Sequence, residues 1–273
     1  MSTVPVTRVL ADAEAVAEFV AERIADGIER AREAGADYVL GCPSGRTPLP
    51  TYRALARLVR ERGLAISHVR IALMDDYVVE TESGFRNVDL EAHNSCRRFV
   101  RDEVVGPLNA AAADEGMPED RLLQPDPANP EAYDELLREA GGIDCFLLAS
   151  GAGDGHVAFN PPGSARDSGS RIVRLAEQTR IDNLGTFPEF GSLDAVPSHG
   201  LTVGIGTIAE LSRSAVMIIT TAEKREAFER ISTAAAYDPE WPATVVAECA
   251  DALVVADRAA AGVREEAPRH PVR

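Results

Sequence analysis

The sequence predicts an α/β fold, a three-layer sandwich with a mainly parallel sheet, on three observations. Short continuous apolar runs such as CFLLA and AVMIIT recur along the chain, as strands do when helices cover both faces of their sheet. Segments with apolar residues at spacings of three and four lie between those runs, and that alternation implies right-handed parallel crossovers. A chain of 273 residues with 45% hydrophobic content is also long enough to bury the core such a sheet needs.

The elements follow in order. Val16, Phe19, Val20, Ile24 and Ile28 predict an amphipathic helix over residues 12–34. Tyr38–Gly41 is a short apolar run with a Pro/Ser/Gly loop behind it. Helical spacing returns over residues 49–61, and Val69–Met74 reads as the next strand. A helix near 91–104 is expected, then strands at Ile143–Ala149, Leu201–Ile205 and Ala215–Thr221, a helix at 222–235 and a strand at Ala252–Ala256. Residues 106–130, rich in Pro and Ala, read as a surface excursion and not as a domain boundary. The chain, 1–273, is therefore expected to form a single domain, with a tail that frays from about Val263.

Composition excludes several classes of partner. Forty-four acids against 28 bases leave a net charge of −16, whose field repels nucleic acid and anionic membrane. A small phosphorylated ligand is still admissible, because local N–H groups and one or two cations hold it. No apolar run reaches the roughly 18 residues of a membrane helix. Met1 to Arg8 has neither an apolar core nor a small-residue cleavage site, so no secretory signal is expected. Cys42, Cys96, Cys145 and Cys249 show no metal spacing and read as buried, reduced thiols of a cytoplasmic protein.

Three loops at predicted strand ends carry chemistry, where open parallel sheets bind their ligands. Ser44, Gly45, Arg46 and Thr47 lie between a strand and a helix; hydroxyls, close backbone approach and helix N–H groups could cradle a phosphate. The same loop reads equally as a βα turn with Ser or Thr capping the helix. Asp75 and Asp76 follow strand VRIALM, where a desolvated carboxylate can act as a general base, or where a turn acid can sit. In Gly151-Ala152-Gly153-Asp154-Gly155-His156, three glycines free the backbone around Asp154 and His156, a candidate pair for proton transfer. His68, His93, His199 and His270 show no ligand spacing to this loop, so no metal is expected. GIGTIA at 204–209 resembles a dinucleotide fingerprint, but no ribose-binding acid follows. It reads as a tight packing turn, and no cofactor is implied.

Taken in order, LGCPSGRTPLPTYRAL, ALMDDYV, GAGDGHVAFN, LTVGIGT and the later strand and helix with Lys224 resemble the glucosamine-6-phosphate deaminase/isomerase family. Trp241 falls where that family commonly has one. The likeness runs from about residue 10 to 257. It implies a Rossmann-like α/β sandwich with the site at its strand ends. It also implies that Asp75 moves a proton between C1 and C2 of an open-chain sugar, and that Asp154 and His156 help open the pyranose. Ser44, Gly45, Thr47 and Lys224 would bind phosphate. Two departures stand out. Pro161 occupies the place of a glutamate that partners the histidine, and Gly185 that of a phosphate-binding arginine, for which Arg46 could substitute.

The implied function is a sugar-phosphate isomerase or deaminase acting on a glucosamine-6-phosphate-like substrate, with release of ammonia as one outcome and a homo-oligomer as one possible assembly. The related 6-phosphogluconolactonases, which share the DGH element, make lactone hydrolysis the competing activity. A non-catalytic sugar-phosphate sensor is the alternative from another class, kept open by Pro161.

Overall fold

The computed structural model describes residues 4–263, so the tail expected to fray beyond Val263 lies outside the described residues. In chain order the strands are β1 (Val6–Leu10), β2 (Tyr38–Cys42), β3 (Val69–Leu73), β4 (Asp75–Thr81), β5 (Gly84–Asn87), β6 (Leu122–Leu123), β7 (Cys145–Ala149), β8 (Arg171–Arg174), β9 (His199–Thr202), β10 (Ala215–Ile219) and β11 (Ala252–Asp257). The helices are α1 (Ala13–Glu33), α2 (Leu49–Arg62), α3 (Cys96–Val100), α4 (Gly106–Ala111), α5 (Ala132–Glu139), α6 (Glu177–Thr186), α7 (Ile205–Leu211) and α8 (Arg225–Thr233). None is long and apolar enough to cross a membrane.

Seven strands form an all-parallel sheet in the order β1-β11-β10-β7-β2-β3-β6. Its central strands bury both faces, and alternate residues feed two cores. Leu40, Leu147, Ile218 and Val255 point toward α1, α2 and α4. Val39, Phe146, Met217 and Val254 point toward α5, α7 and α8. That period of two, with a helix layer on each side, is the predicted three-layer sandwich. Asp12 caps α1 by accepting the Ala15 N–H at 2.9 Å, and α2 stops at Gly63, whose φ of +61° suits glycine.

The strand series corrects three expectations. Leu201–Ile205 does not join the parallel sheet. Its first residues belong to β9, which pairs antiparallel with β4 and β8 in a second sheet of order β5-β4-β9-β8. The DDY segment is the start of β4, not a loop. Residues 106–130 are not wholly an excursion, since α3, a π turn at Arg101–Val105 and α4 run on without a break to Ala111. The wide turn suits Pro107 just behind it, which has no N–H to offer the ladder.

Chain order reverses between β2 and β7. From β2 the sheet grows outward through β3 and β6, and from β7 it grows the other way through β10 and β11. The carboxyl ends of these central strands therefore open on a crevice, the place where doubly wound sheets bind ligands.

Candidate active site

That crevice holds a cavity of about 230 Å³ into which all three loops project, with Ser44–Thr47, Asp75, His156 and Lys224 on its walls. Residues far apart in sequence are thus brought together. Asp154 stands just behind His156.

The 43–48 loop is anchored from below: Tyr52 of α2, fully buried, donates to the Pro43 carbonyl at 2.8 Å. No side chain caps α2, so the Ser44 and Thr47 hydroxyls are not consumed as caps. Ser44 Oγ donates to Cys96 Sγ at 3.2 Å. Gly45 adopts φ +104° with open space beside it. Arg46 is exposed and makes no ion pair or hydrogen bond among the described residues. A Cβ built on Gly185 would stand 3.4 Å from Arg46 Nη2. The guanidinium therefore lies where a side chain at 185 would begin.

Asp75 and Asp76 illustrate how strand geometry divides labour, since neighbours on β4 point to opposite faces. Asp76 is consumed by structure: it accepts from the N–H groups of Tyr77 at 2.9 Å and Cys96 at 3.0 Å, and from Arg97 Nε at 2.7 Å. Asp75 faces the cavity and is only 6% exposed. Burial pushes its carboxyl up to about 7, with Asp76 adding to the rise while Cys96, His156 and Ser44 oppose it. A carboxylate poised near neutrality is suited to taking a proton and giving it back.

In the loop after β7, His156 Nδ1 and Asp154 Oδ1 are 2.7 Å apart, and Asp154 also accepts the His156 backbone N–H at 3.2 Å. Thr179 Oγ1 on α6 donates to Asp154 Oδ2 at 3.3 Å. These bonds hold Asp154 below the usual carboxylate range despite its burial, the imidazole being the largest of the favourable contacts. With Nδ1 engaged, Nε2 is the nitrogen left for a ligand. Gly151 makes room for the pair, because a Cβ there would overlap both Asp154 Oδ1 and His156 Nδ1. The stretch after the histidine is pinned to β9: Phe159 N–H donates to Thr202 Oγ1 at 3.1 Å and Asn160 Nδ2 to the Val203 carbonyl at 2.8 Å. DGHVAFN and LTVG thus form one structural unit.

Lys224 ends a 3-10 turn after β10, and its Nζ donates to the Ser150 carbonyl at 2.5 Å. Burial lowers its hold on the proton, and Asp182 is the foremost of the acids opposing that.

GIGTIA does serve packing. Gly204 and Gly206 lie against the backbone of Asp167 and Ser168 with no room for a Cβ at Gly204, and Thr207 Oγ1 donates to buried Asp134 at 2.9 Å.

Several wall residues carried no signal in the sequence. Helix α6 roofs the cavity with Asp182, Asn183 and Thr186, followed by Phe187. Tyr77 and Asn183 line it too, and Tyr77 OH and Asn183 Nδ2 are buried without hydrogen-bond partners among the described residues. One carboxylate oxygen each from Asp154 and Asp182 and a ring nitrogen of His156 lie within 4.8 Å of one another, a spacing that a cation would also accept. Helical periodicity finds the buried stripe of a helix. It gives no reason to single out a polar face that looks onto a crevice.

Known proteins with this arrangement can be compared directly. The chain is 38% identical over 259 residues to a glucosamine-6-phosphate deaminase of Streptomyces coelicolor, covering 93% of this chain and 90% of that one. It is 40% identical over 231 residues to one of Rhodococcus jostii, covering 81% and 80%. Among solved structures, a monomeric glucosamine-6-phosphate deaminase superimposes with a TM-score of 0.81 at 28% identity, over 95% of this chain and all of the other. The 6-phosphogluconolactonase of Thermotoga maritima shares the fold, with a TM-score of 0.64 at 21% identity over 92% of this chain and 98% of its own. The family model of glucosamine-6-phosphate isomerases/6-phosphogluconolactonase matches residues 11–255, and the chain belongs to that family.

Proposed function

We propose that this chain is a glucosamine-6-phosphate deaminase, in which Asp75 is the base, His156 opens the ring with Asp154 behind it, and Ser44–Thr47 with Lys224 hold the phosphate. The observation that carries this reading is the buried Asp75 carboxylate, poised near pH 7, on the same cavity as an acid-clamped imidazole. With the phosphate bound at the α2 end, the anomeric end of the sugar reaches His156. Its Nε2 takes the O1 proton and delivers it to the ring oxygen. Asp75 then removes the C2 proton and returns it to C1, while one amine proton passes to O1, so that the C1=O1 double bond becomes a hydroxyl and a C2=N imine forms. Water adds to that imine, ammonia leaves, and a ketose phosphate remains. Asp75 is suited to this because it is held rigidly at the start of β4 and shielded from bulk water.

An NMR time course with glucosamine 6-phosphate should show the ketose phosphate and ammonium appearing together. Hydrolysis of 6-phosphogluconolactone as the only turnover would replace the deaminase by a lactonase. Tight binding of sugar phosphates without turnover would make it a sensor.

Arg46 is expected to be the phosphate's guanidinium. Loss of one charged hydrogen bond is worth about 1.5–3 kcal/mol, so Arg46→Ala should raise KM for the phosphorylated substrate about 10- to 150-fold with little change in kcat. Moving the arginine, as Arg46→Gly with Gly185→Arg, should restore part of the affinity, since a side chain at 185 begins beside the place that the Arg46 guanidinium occupies. An unchanged KM in Arg46→Ala would remove it from the site.

A further inference from the structure

Asp182 sits on the cavity wall without an assigned role. It lies one helical turn beyond Gln178 on α6, and Gln178 Nε2 donates to its Oδ1 at 2.9 Å. Its Oδ2 has no hydrogen bond among the described residues. The carboxylate belongs to the tight cluster with Asp154 and His156, and it makes no ion pair with Lys224, whose Nζ is turned to the Ser150 carbonyl. The position has a plain electrostatic consequence. An imidazolium formed at His156 would share the cavity with two fixed cations, Arg46 and Lys224. One carboxylate behind Nδ1 orients the ring, and a second nearby offsets the extra positive charge in a partly desolvated place. The segment that follows the histidine supplies no such acid: Pro161 has no ionisable side chain, and its carbonyl accepts the Ser164 hydroxyl at 2.7 Å.

We propose that Asp182 is the second carboxylate of the ring-opening relay, a positioning residue that acts through His156. This deepens the deaminase reading and rests on it. In the step concerned, the O1–H proton passes to His156 as its bonding pair closes the C1=O1 double bond. The C1–O5 bond breaks, its pair stays on O5, and His156 returns the proton there. Asp182 takes no atom in this exchange. It holds the charged imidazole between the two transfers.

The test separates ring opening from proton transfer at carbon. Asp182→Asn should lower kcat on glucosamine 6-phosphate by ~10²-fold with KM within about threefold, and Asp182→Glu should recover a large part. In the same Asn variant, solvent deuterium should enter 5-deoxyfructose 6-phosphate in the presence of ammonium at nearly the wild-type rate. That ketose has no hydroxyl able to close a ring, so its exchange needs Asp75 and no ring opening. Equal losses in both reactions, or no loss in either, would overturn the proposal. Loss of wild-type turnover on dialysis against EDTA would also overturn it, by making the cluster a metal site. A wild-type protein that fails on the aminosugar would instead overturn the deaminase reading, and the relay with it.

Discussion

Asp75→Asn is expected to abolish turnover and at the same time to stabilise the protein at neutral pH. Removing a general base costs on the order of 10²–10⁴-fold, and the upper end is expected because no neighbour can replace it. Asp76, the nearest acid, is locked to Arg97 and two backbone N–H groups. The stability effect follows from linkage. Burial raises the Asp75 carboxyl from 3.8 to about 7 in the folded chain. Between those two values the unfolded chain has released its proton while the folded one still holds it, so stability falls as pH rises through that window. Above about pH 7 the whole cost of the buried charge is present, a few kcal/mol in order of magnitude. Asparagine keeps the shape and has no charge to bury. The variant's Tm should therefore exceed wild type at pH 8 and converge with it toward pH 4, while binding of the sugar phosphate persists. Wild-type kcat/KM should rise through about pH 7 as the base ionises. A variant that keeps most of its activity, or melts lower at pH 8, would remove Asp75 from the role of base.

The sequence made the frame of this molecule legible because its central strands are buried on both faces. CFLLA and AVMIIT have no polar alternation to confuse them, and α1 and α2 lie within a residue or so of their expected ends. The elements that escaped notice are those whose residues obey no single period. Strand β1 lies at a sheet edge with an exposed pattern, and β8, RIVR, is short and half-buried. The small antiparallel sheet was hidden for a different reason. Its β9 looks like one more apolar run, and only pairing with β4 reveals its direction. The candidate loops were readable because Gly, Asp and His cluster in a few residues at strand ends. The roof was not: Thr179, Asp182 and Asn183 sit on a helix whose polar face would be ordinary in solvent. In the reading proposed above, the two departures at Pro161 and Gly185 are answered in space by Asp182 and Arg46, which lie elsewhere in the chain. Order along the sequence cannot show that kind of exchange.

Gly155→Ala should damage both the stability and the site. Gly155 lies between Asp154 and His156 at φ +63°, a conformation that costs an alanine roughly 1–2 kcal/mol. The new Cβ would also overlap the indole of Trp241, a residue 4% exposed. That ring has nowhere to retreat. The backbone N–H of Trp241 is bonded to the Asp238 carbonyl at 2.9 Å, the Gly155 carbonyl accepts from the Ala243 N–H at 2.8 Å, and the Arg230 guanidinium covers the ring 4.5 Å from its centroid. Overpacking adds about 1–3 kcal/mol, so a total loss of about 3 kcal/mol is expected. Gly35→Ala is the matched control, since Gly35 has φ +64° with nothing within 4 Å of its Cβ position. It should show the backbone cost alone and leave turnover intact. Relief of the clash must come from the loop, which would turn Asp154 away from Nδ1 of His156 and lower kcat by ~10²-fold or more. Urea unfolding of the two variants would read the overlap as the difference between them. Equal destabilisation would mean that Trp241 yields, and unchanged turnover in Gly155→Ala would mean that the Asp154–His156 clamp does not depend on this packing.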